Sequence, residues 1–174
     1  KGAFYGSTTA CRELQESAID ESMDPGQFNP KEIAGIFLQT FRGRDVKFMP
    51  YDWVRTWAKW AKKNNIPIGF DEMQSGFARP GRWFGFQHYG VKPDFMTVGK
   101  ALGGGLPISA LIGKKKLMES AYDLFSTHTG NPVCCSAALA VIKTIEQKKL
   151  VDKSAKRSKW VGELLRKIFP NNEI

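Results

Sequence analysis

Short apolar runs separated by polar segments dominate the first hundred residues. The runs with the length and continuity of buried strands are residues 33–38, 66–70 and 94–99. Between the first two runs, Val54, Trp57, Ala58 and Ala61 recur at helical spacing and predict an amphipathic helix that ends at Asn64. This order of strand, helix, strand, loop and strand predicts an α/β fold with a mainly parallel sheet covered by helices.

The rest of the chain is predicted to be mainly helical. Helices are expected over residues 114–122, 132–149 and 151–169, after a strand over residues 107–112. Pro132 suits the first turn of its helix, and Val161, Leu164, Leu165 and Ile168 recur on one face of the last helix. A weaker helical pattern covers residues 12–21, and residues 42–45 are predicted to form an exposed loop.

Polar side chains stand where the three predicted central strands end. Gln39 follows the first strand, Asp71 the second and Lys100 the third. Ligands of open α/β sheets bind beyond the carboxyl ends of the strands. The sequence therefore predicts that a neutral hydrogen-bonding group, an anion and a cation converge on the edge where a ligand would lie.

Lysine and aspartate at such an edge are compatible with two interpretations. Desolvation favours the neutral amine of a lysine, which can form a Schiff base with a carbonyl group. A carboxylate facing it could hold the protonated nitrogen of a pyridine ring, as in enzymes that use pyridoxal phosphate. The alternative is a buried salt bridge between Asp71 and Lys100 with no cofactor, and the residue types alone favour neither.

Composition and charge narrow the class of protein. Hydrophobic residues make up 42% of the chain and charged residues 25%, which excludes wholesale disorder. No apolar run approaches the roughly 18 residues that span a bilayer, so we expect no membrane partner. The net charge is +9, but the lysines are scattered and no aromatic residues alternate with them as a stacking platform requires. We therefore expect no nucleic-acid partner.

The three cysteines give no sign of a disulfide framework or a zinc site. Cys134 and Cys135 are adjacent, Cys11 is distant, and no C-x-x-C spacing accompanies them. This usage favours a reducing compartment, and the expected location is the cytoplasm.

An ordered series of motifs resembles one enzyme family. The segments that carry the resemblance are DEMQSGF at 71–77, RPG at 79–81, FQHYGVKPD at 86–94, GKALGGGLPI at 99–108 and THTGNP at 127–132. Together they resemble the core of class III aminotransferases of the ornithine and ω-amino acid type, which depend on pyridoxal 5'-phosphate. The resemblance implies the large-domain core of the type I fold of pyridoxal-phosphate-dependent transferases.

The resemblance also implies roles for individual residues. Lys100 matches the lysine that holds the cofactor as an internal aldimine and moves the proton during the reaction. Asp71 matches the partner of the pyridine nitrogen, and Gln74 matches the donor to the ring hydroxyl. Met73 matches an apolar position that packs on the ring face. Thr127 matches a threonine that binds the cofactor phosphate of the partner subunit, so a homodimer is implied.

Two positions match the family less closely. Gln39 stands where many members carry a glutamate that pairs with an arginine and helps the enzyme to exchange substrates, so the use of glutamate by this protein does not follow from the resemblance. Phe4 resembles the aromatic residue that stacks on the cofactor ring, although the segment between Gly6 and Gln39 is shorter than is usual in the family.

The resemblance predicts transamination by a partial chain. An amino group would pass from an amine or ω-amino acid to a 2-oxo acid or aldehyde. The alternatives are a decarboxylase-transaminase or aminomutase of the same family, and a non-catalytic truncated remnant. We divide the chain into a poorly matched segment at 1–30, the cofactor-binding core at 31–150, and a helix at 151–174 that leads toward a small domain absent from this sequence.

Overall fold

The computed structural model of the protein describes residues 23–43, 46–119 and 127–170, together with the backbone of residues 2–5. The strands are β1 (Gly2–Tyr5), β2 (Ile33–Gln39), β3 (Phe41–Arg42), β4 (Lys47–Phe48), β5 (Ile68–Asp71), β6 (Phe95–Val98) and β7 (Ala110–Gly113). The helices are α1 (Tyr51–Lys63), α2 (Lys115–Met118), α3 (Pro132–Gln147) and α4 (Leu150–Ile168). Short 3-10 helices cover Pro25–Gln27, Pro30–Glu32, Gly85–Tyr89 and Lys100–Gly103.

A five-stranded sheet forms the centre of the fold. Its order is β1-β2-β5-β6-β7, with the first four strands parallel and β7 antiparallel to β6. This arrangement confirms the predicted α/β fold with a mainly parallel sheet. Strand β1 was not predicted, and its pairing with β2 places residues 2–5 in the same sheet as the core. The domain boundaries at residues 30 and 150 stay a prediction.

Helix α1 covers one face of the sheet. Its residues Val54, Trp57 and Ala61 are buried, as the helical spacing predicts, and they pack in one cluster with Ile36 and Phe70 of β2 and β5. Burial of a valine, isoleucine or phenylalanine side chain contributes about 1.5–3 kcal/mol, so this cluster holds the helix against the sheet.

On the opposite face of the sheet, a glycine makes room for two aromatic rings. Phe37, Gly69 and Phe95 stand in register on β2, β5 and β6. The rings of Phe37 and Phe95 stack with centroids 5.6 Å apart, and a Cβ atom at Gly69 would collide with the Phe95 ring. Two residues farther along each strand, the next row of side chains on this face lies at the carboxyl ends of the strands.

Helix α3 packs against the Lys100–Gly103 helix that follows β6. Asn131 caps it, because its Oδ1 accepts hydrogen bonds from the backbone nitrogens of Val133 and Cys134 at 3.0 and 3.3 Å. Ala138 of this helix is buried together with Val98 and Leu102. In α4 the predicted apolar face lies largely open in this chain, with Val161, Leu164 and Ile168 at 42%, 40% and 57% exposure.

Some local predictions differ from the structure. Residues 42–45 were predicted as an exposed loop, but Arg42 is buried in the short hairpin of β3 and β4. The prediction was therefore wrong for Arg42, which the hairpin covers, whereas Gly43 is exposed as predicted and residues 44–45 lie outside the described residues. The predicted strand over residues 107–112 begins later, at Ala110. The predicted helix at 12–21 and residues 120–126 lie outside the described residues.

Within the described residues, no helix is both long and apolar enough to cross a bilayer. The same residues contain no group of three or more histidine, cysteine, aspartate or glutamate side chains able to hold a metal ion.

Candidate active site

Three polar side chains form a row at the carboxyl ends of the central strands. Gln39 of β2 is in register with Asp71 of β5, which is in register with Thr97 of β6. Parallel strands in register point equivalent side chains to the same face, with neighbouring strands about 4.8 Å apart. The predicted convergence of Gln39 and Asp71 is therefore present, and Thr97 joins them.

The carboxylate of Asp71 is oriented by donors from three directions. Nε2 of Gln39 donates to Oδ2 at 3.1 Å, and the backbone nitrogen of Met73 donates to Oδ1 at 2.9 Å. Oγ1 of Thr97 donates to the same Oδ1 over 3.5 Å. The side chain is half-buried, so it keeps access to the space beyond the strands. The arrangement presents a carboxylate in a fixed orientation, as recognition of a protonated ring nitrogen requires.

Lys100 lies two residues beyond the end of β6 and opens a 3-10 helix. Its φ of 43° is in the left-handed region, which costs a non-glycine residue about 1–3 kcal/mol and is enriched at functional sites. The preceding Gly99 has an extended φ of −177°. The backbone therefore turns sharply at this lysine and carries it out of the strand direction.

The side chain of Lys100 is exposed, which corrects the prediction that burial desolvates its amine. The sharp turn at residue 100 lifts the side chain away from the buried strand. No ion pair joins Lys100 to Asp71 among the residues that the structure describes. The structure therefore contradicts the alternative interpretation, in which these two residues form a buried salt bridge.

Met73 links the Asp71 side of the site to the Lys100 side. Its backbone binds the Asp71 carboxylate, and its thioether lies against Gly99. A Cβ atom built on Gly99 would stand 2.6 Å from Sδ of Met73, so only glycine leaves room for this contact. Met73 thus offers an apolar, half-buried surface between the carboxylate and the turn that carries the lysine.

Gln74 is half-buried against the β3–β4 hairpin. Its side-chain amide lies so close to Gly43 that a Cβ atom at residue 43 would collide with Oε1 and stand 2.7 Å from Nε2. The hairpin therefore positions the amide that the resemblance assigns to a cofactor hydroxyl. Sequence reasoning named Gln74 but not the glycine opposite it.

Glu72 is a fully buried carboxylate that sequence reasoning missed. Oε2 accepts hydrogen bonds from Oγ of Ser75 and the backbone nitrogen of Gly85, both at 2.7 Å, and Oε1 accepts one from the nitrogen of Phe86 at 2.7 Å. Burial raises the pKa of this carboxyl above its ordinary value, against the opposing effect of these hydrogen bonds. Through these hydrogen bonds, Glu72 stabilises the loop after β5 from its buried side and so holds the neighbouring Asp71 and Gln74 in position.

Tyr89 closes the same buried network. Its hydroxyl donates to the carbonyl oxygens of Met49 at 2.9 Å and Thr40 at 3.2 Å, while Oγ1 of Thr40 lies 2.6 Å from Oγ of Ser75. Burial first, and then the charge of Glu72, raise the pKa of Tyr89 to about 12. The end of β2, the loop after β5 and the Gly85–Tyr89 helix are therefore tied together beneath the row of polar side chains.

Two of the predicted site residues are not brought into this row. Phe4 lies in β1 opposite Ile36, which pairs with Ile68, so its backbone is level with the start of β5 rather than with Asp71. Thr127 is exposed in the turn before α3. The structure joins Asp71 to Met73, and Met73 to the turn that carries Lys100. The roles of all the predicted site residues stay predictions.

Comparisons with known proteins show what the chain is similar to. The family described as "Aminotransferase class-III" matches residues 5–173. A leucine/methionine racemase of Thermococcus litoralis is 38% identical over 86% of this chain and 34% of its own length. An acetylornithine aminotransferase of Archaeoglobus fulgidus is 36% identical over 98% of this chain and 51% of its own length.

A solved structure resembles the chain as well. The ornithine aminotransferase of Toxoplasma gondii, described with partial occupancy of pyridoxal phosphate at its active site, superimposes with a TM-score of 0.74. The match has 27% identity and covers 80% of this chain and 33% of that one. The chain thus spans between a third and about half of the length of these three proteins.

Proposed function

The chain belongs to the class III aminotransferases, a family that depends on pyridoxal phosphate, and we propose that it binds this cofactor at the carboxyl edge of its sheet and transfers amino groups. The donor would be an amine or ω-amino acid, and the acceptor a 2-oxo acid or aldehyde. The observation that carries the proposal is the oriented Asp71 carboxylate, joined through Met73 to the turn that presents Lys100.

The residues present fit the cofactor. Asp71 would hold the protonated ring nitrogen, Gln74 would donate to the ring hydroxyl, and Met73 would pack on the ring face. Thr127 of a second subunit would bind the phosphate, and Phe4 is the proposed stacking residue on the other ring face. When bound, the ring supplies an electron sink for the substrate carbon.

Lys100 would hold the cofactor covalently and then move a proton. Its exposed Nζ has no ion-pair partner among the described residues, so the amine is available to a carbonyl group. Once displaced by the amino group of a substrate, the same nitrogen would carry the proton between the substrate carbon and the cofactor carbon. Asp71 would keep the ring nitrogen protonated during that transfer.

Covalent attachment at Lys100 can be tested without an activity assay. The protein would be incubated with pyridoxal phosphate, reduced with borohydride and mapped by mass spectrometry. We expect the label on Lys100, its loss in Lys100→Ala, and an unchanged label in Lys148→Ala, an exposed lysine after α3. Labelling spread evenly over surface lysines would contradict the proposal.

Measurements of cofactor binding and of reaction products separate an enzyme from a non-catalytic remnant. Absence of both the visible absorbance of bound cofactor and any binding heat would favour the remnant. Carbon dioxide release in a transamination assay would favour a decarboxylase-transaminase, and movement of an amino group within one substrate would favour an aminomutase.

A second candidate function is amino-acid racemisation. It is favoured by the 38% identity to a leucine/methionine racemase. Racemisation and transamination share the removal of a proton from the substrate carbon, and they differ in where the proton returns. Incubation of single enantiomers of leucine or methionine without an oxo acid would detect racemisation as loss of optical purity.

We also propose a homodimer in the cytoplasm. Cys134 and Cys135 are free thiols, which suits a reducing compartment. The exposure of Thr127 leaves it available to a second subunit. Sedimentation of the cofactor-loaded protein should give a dimer, and a monomer at all concentrations would count against the role of Thr127 across subunits.

A further inference from the structure

A basic cleft lies at the end of the sheet opposite to the candidate active site. It has a volume of about 770 Å³ and opens between α1, the starts of β5 and β6, and the segment after β7. Its cationic side chains are Arg55, Lys59, Lys62, Lys92, Lys114 and Lys116. Strand β5 is four residues long, so the cleft and Asp71 lie roughly 10 Å apart along it.

The charge of this cleft is strongly one-sided. Asp94 is the one carboxylate among its lining residues, and it is already engaged, because Oδ2 accepts from the backbone nitrogen of Ile68 at 2.9 Å and Oδ1 pairs with Lys114. Six cations against one carboxylate leave a formal charge of +5. Among the residues that the structure describes, no carboxylate forms an ion pair with Lys59, Lys62, Lys92 or Lys116.

The fold gathers these charges from separate elements. Arg55, Lys59 and Lys62 follow one another at i, i+4 and i+7 and share one face of α1. Like charges at this spacing destabilise a helix unless an anion lies among them. Lysines in the last turn of α1 also complement the helix dipole, which accounts for Lys62 but not for Lys92 or Lys116. Arg55 already donates to the hydroxyl of Tyr51 at 2.8 Å.

We propose that this cleft binds a short polyphosphate chain, free or as the phosphate tail of a nucleotide. The volume is that of a small-molecule site rather than of a macromolecular groove. Its lining includes the aliphatic residues Ala58, Ile66 and Val91, and among the described residues no aromatic side chain lines it to stack on nucleic-acid bases. Lysine ammonium groups act as point charges toward phosphate, and a triphosphate matches the charge of the cleft more closely than a single phosphate does.

Calorimetry with inorganic tripolyphosphate tests this site directly. Pyridoxal phosphate is kept at saturation in the cell and the syringe, so the cofactor phosphate site cannot contribute. We expect tripolyphosphate and ATP to bind, and orthophosphate to bind at least about tenfold more weakly, because it presents a single phosphate to the spaced cations.

Two pairs of exposed lysines provide independent variants. One double variant, Lys59→Gln with Lys62→Gln, alters one wall, and the other, Lys92→Gln with Lys116→Gln, alters the opposite wall. Each double variant should lower the affinity for tripolyphosphate about tenfold. The matched control is Lys153→Gln with Lys156→Gln on α4, which removes the same charge away from the cleft and should leave affinity unchanged. Unfolding temperatures measured in parallel would show that the variants fold.

Several results would overturn the proposal. Equal weakening in the α4 control would mean a general attraction to the net positive charge. Absence of any tripolyphosphate binding would exclude the site, and binding of ATP without tripolyphosphate would mean that the nucleoside is recognised instead. Binding of a short DNA duplex without tripolyphosphate would indicate a nucleic-acid surface. None of these outcomes depends on whether the protein is an aminotransferase.

Discussion

The side-chain amide of Gln39 donates a hydrogen bond from Nε2 to Oδ2 of Asp71 over 3.1 Å. The two residues stand opposite each other in the register of β2 and β5, so the sheet itself sets their separation. Because the amide is neutral, it orients the carboxylate without changing the charge that faces a ligand. A glutamate in its place would put two carboxylates at this short distance.

We predict that Gln39→Glu lowers the free energy of unfolding of the cofactor-free protein by about 1–2 kcal/mol at pH 7. Two adjacent carboxylates repel each other unless one carries a proton, so the loss should shrink as the pH falls toward 4. Urea unfolding at both pH values measures it. Pyridoxal phosphate should stabilise this variant more than the wild-type protein, because a protonated ring nitrogen relieves the repulsion.

Gln39→Met is the matched control. It removes the hydrogen bond without adding a charge, so its cost should change less between pH 7 and pH 4 than the cost of Gln39→Glu. If pyridoxal phosphate stabilised Gln39→Glu no more than Gln39→Met, the ring nitrogen would not face this pair of residues.

The positions of Gln39 and Asp71 could be predicted because a buried parallel strand must be apolar, and a polar residue marks its end. Lys100 could be placed after its strand in the same way. Its exposure could not be predicted, because it depends on a left-handed backbone turn at the lysine itself. Hydrophobic patterning carries no information about such a turn.

Glu72 could not be predicted from its neighbours in the sequence. Its burial depends on donors from Ser75, Gly85 and Phe86, and the last two lie thirteen and fourteen residues away. In the sequence Asp71 and Glu72 look alike, as a polar pair that opens a loop. Only the alternation of the strand separates them, since it points Asp71 toward the open edge and Glu72 into the interior.

Glu72→Gln should destabilise the protein by about 1–3 kcal/mol at pH 7. One end of the glutamine would accept from Ser75 and Gly85, but its NH₂ group would face the N–H of Phe86, leaving two donors in contact. The effect should appear in urea unfolding, and it should reduce cofactor affinity because Asp71 and Gln74 flank this residue.

The pH dependence of that effect has a definite sign. The pKa of Glu72 is raised in the folded state, so its contribution to stability is fully present below 4.5 and is lost as the pH rises through the raised value. The difference between wild type and Glu72→Gln should therefore grow as the pH falls from 7 to 4.5. Glu163→Gln, an exposed carboxylate on α4, is the control, and an equal trend in it would assign the effect elsewhere.

Tyr89 should ionise late in an alkaline titration. Its pKa is raised to about 12, from 10.0 for an unperturbed tyrosine, so its stabilising contribution persists below pH 10 and is lost as the pH rises through 12. Tyrosinate absorbance should show a component near pH 12 that disappears in Tyr89→Phe. The free energy of unfolding of that variant should also be about 1–3 kcal/mol lower at pH 7, since two buried carbonyl oxygens lose their hydrogen-bond donor.

Tyr51→Phe is the control for this titration, because Tyr51 is 48% exposed on the surface of α1. The late component should remain in it. Persistence of that component in Tyr89→Phe would show that another tyrosine produces it.

The contact between Gly99 and Met73 predicts a variant that separates stability from cofactor binding. A methyl group at residue 99 would stand 2.6 Å from Sδ of Met73, which is the movable end of a flexible side chain. The extended φ of Gly99 suits any residue, so Gly99→Ala should cost less than about 1 kcal/mol of stability. It should nevertheless lower the affinity for pyridoxal phosphate about tenfold, because the thioether is pushed toward the space that the cofactor ring would fill.

A double-mutant cycle makes this prediction specific. Met73→Ala removes the side chain that Gly99→Ala would displace, so the double variant should bind pyridoxal phosphate no more weakly than Met73→Ala alone. Equilibrium dialysis of the four proteins gives the coupling between the two positions. Additive losses would mean that Gly99 acts through the backbone of Lys100 rather than through Met73, whereas an unchanged affinity in Met73→Ala would mean that Met73 does not contact the cofactor ring.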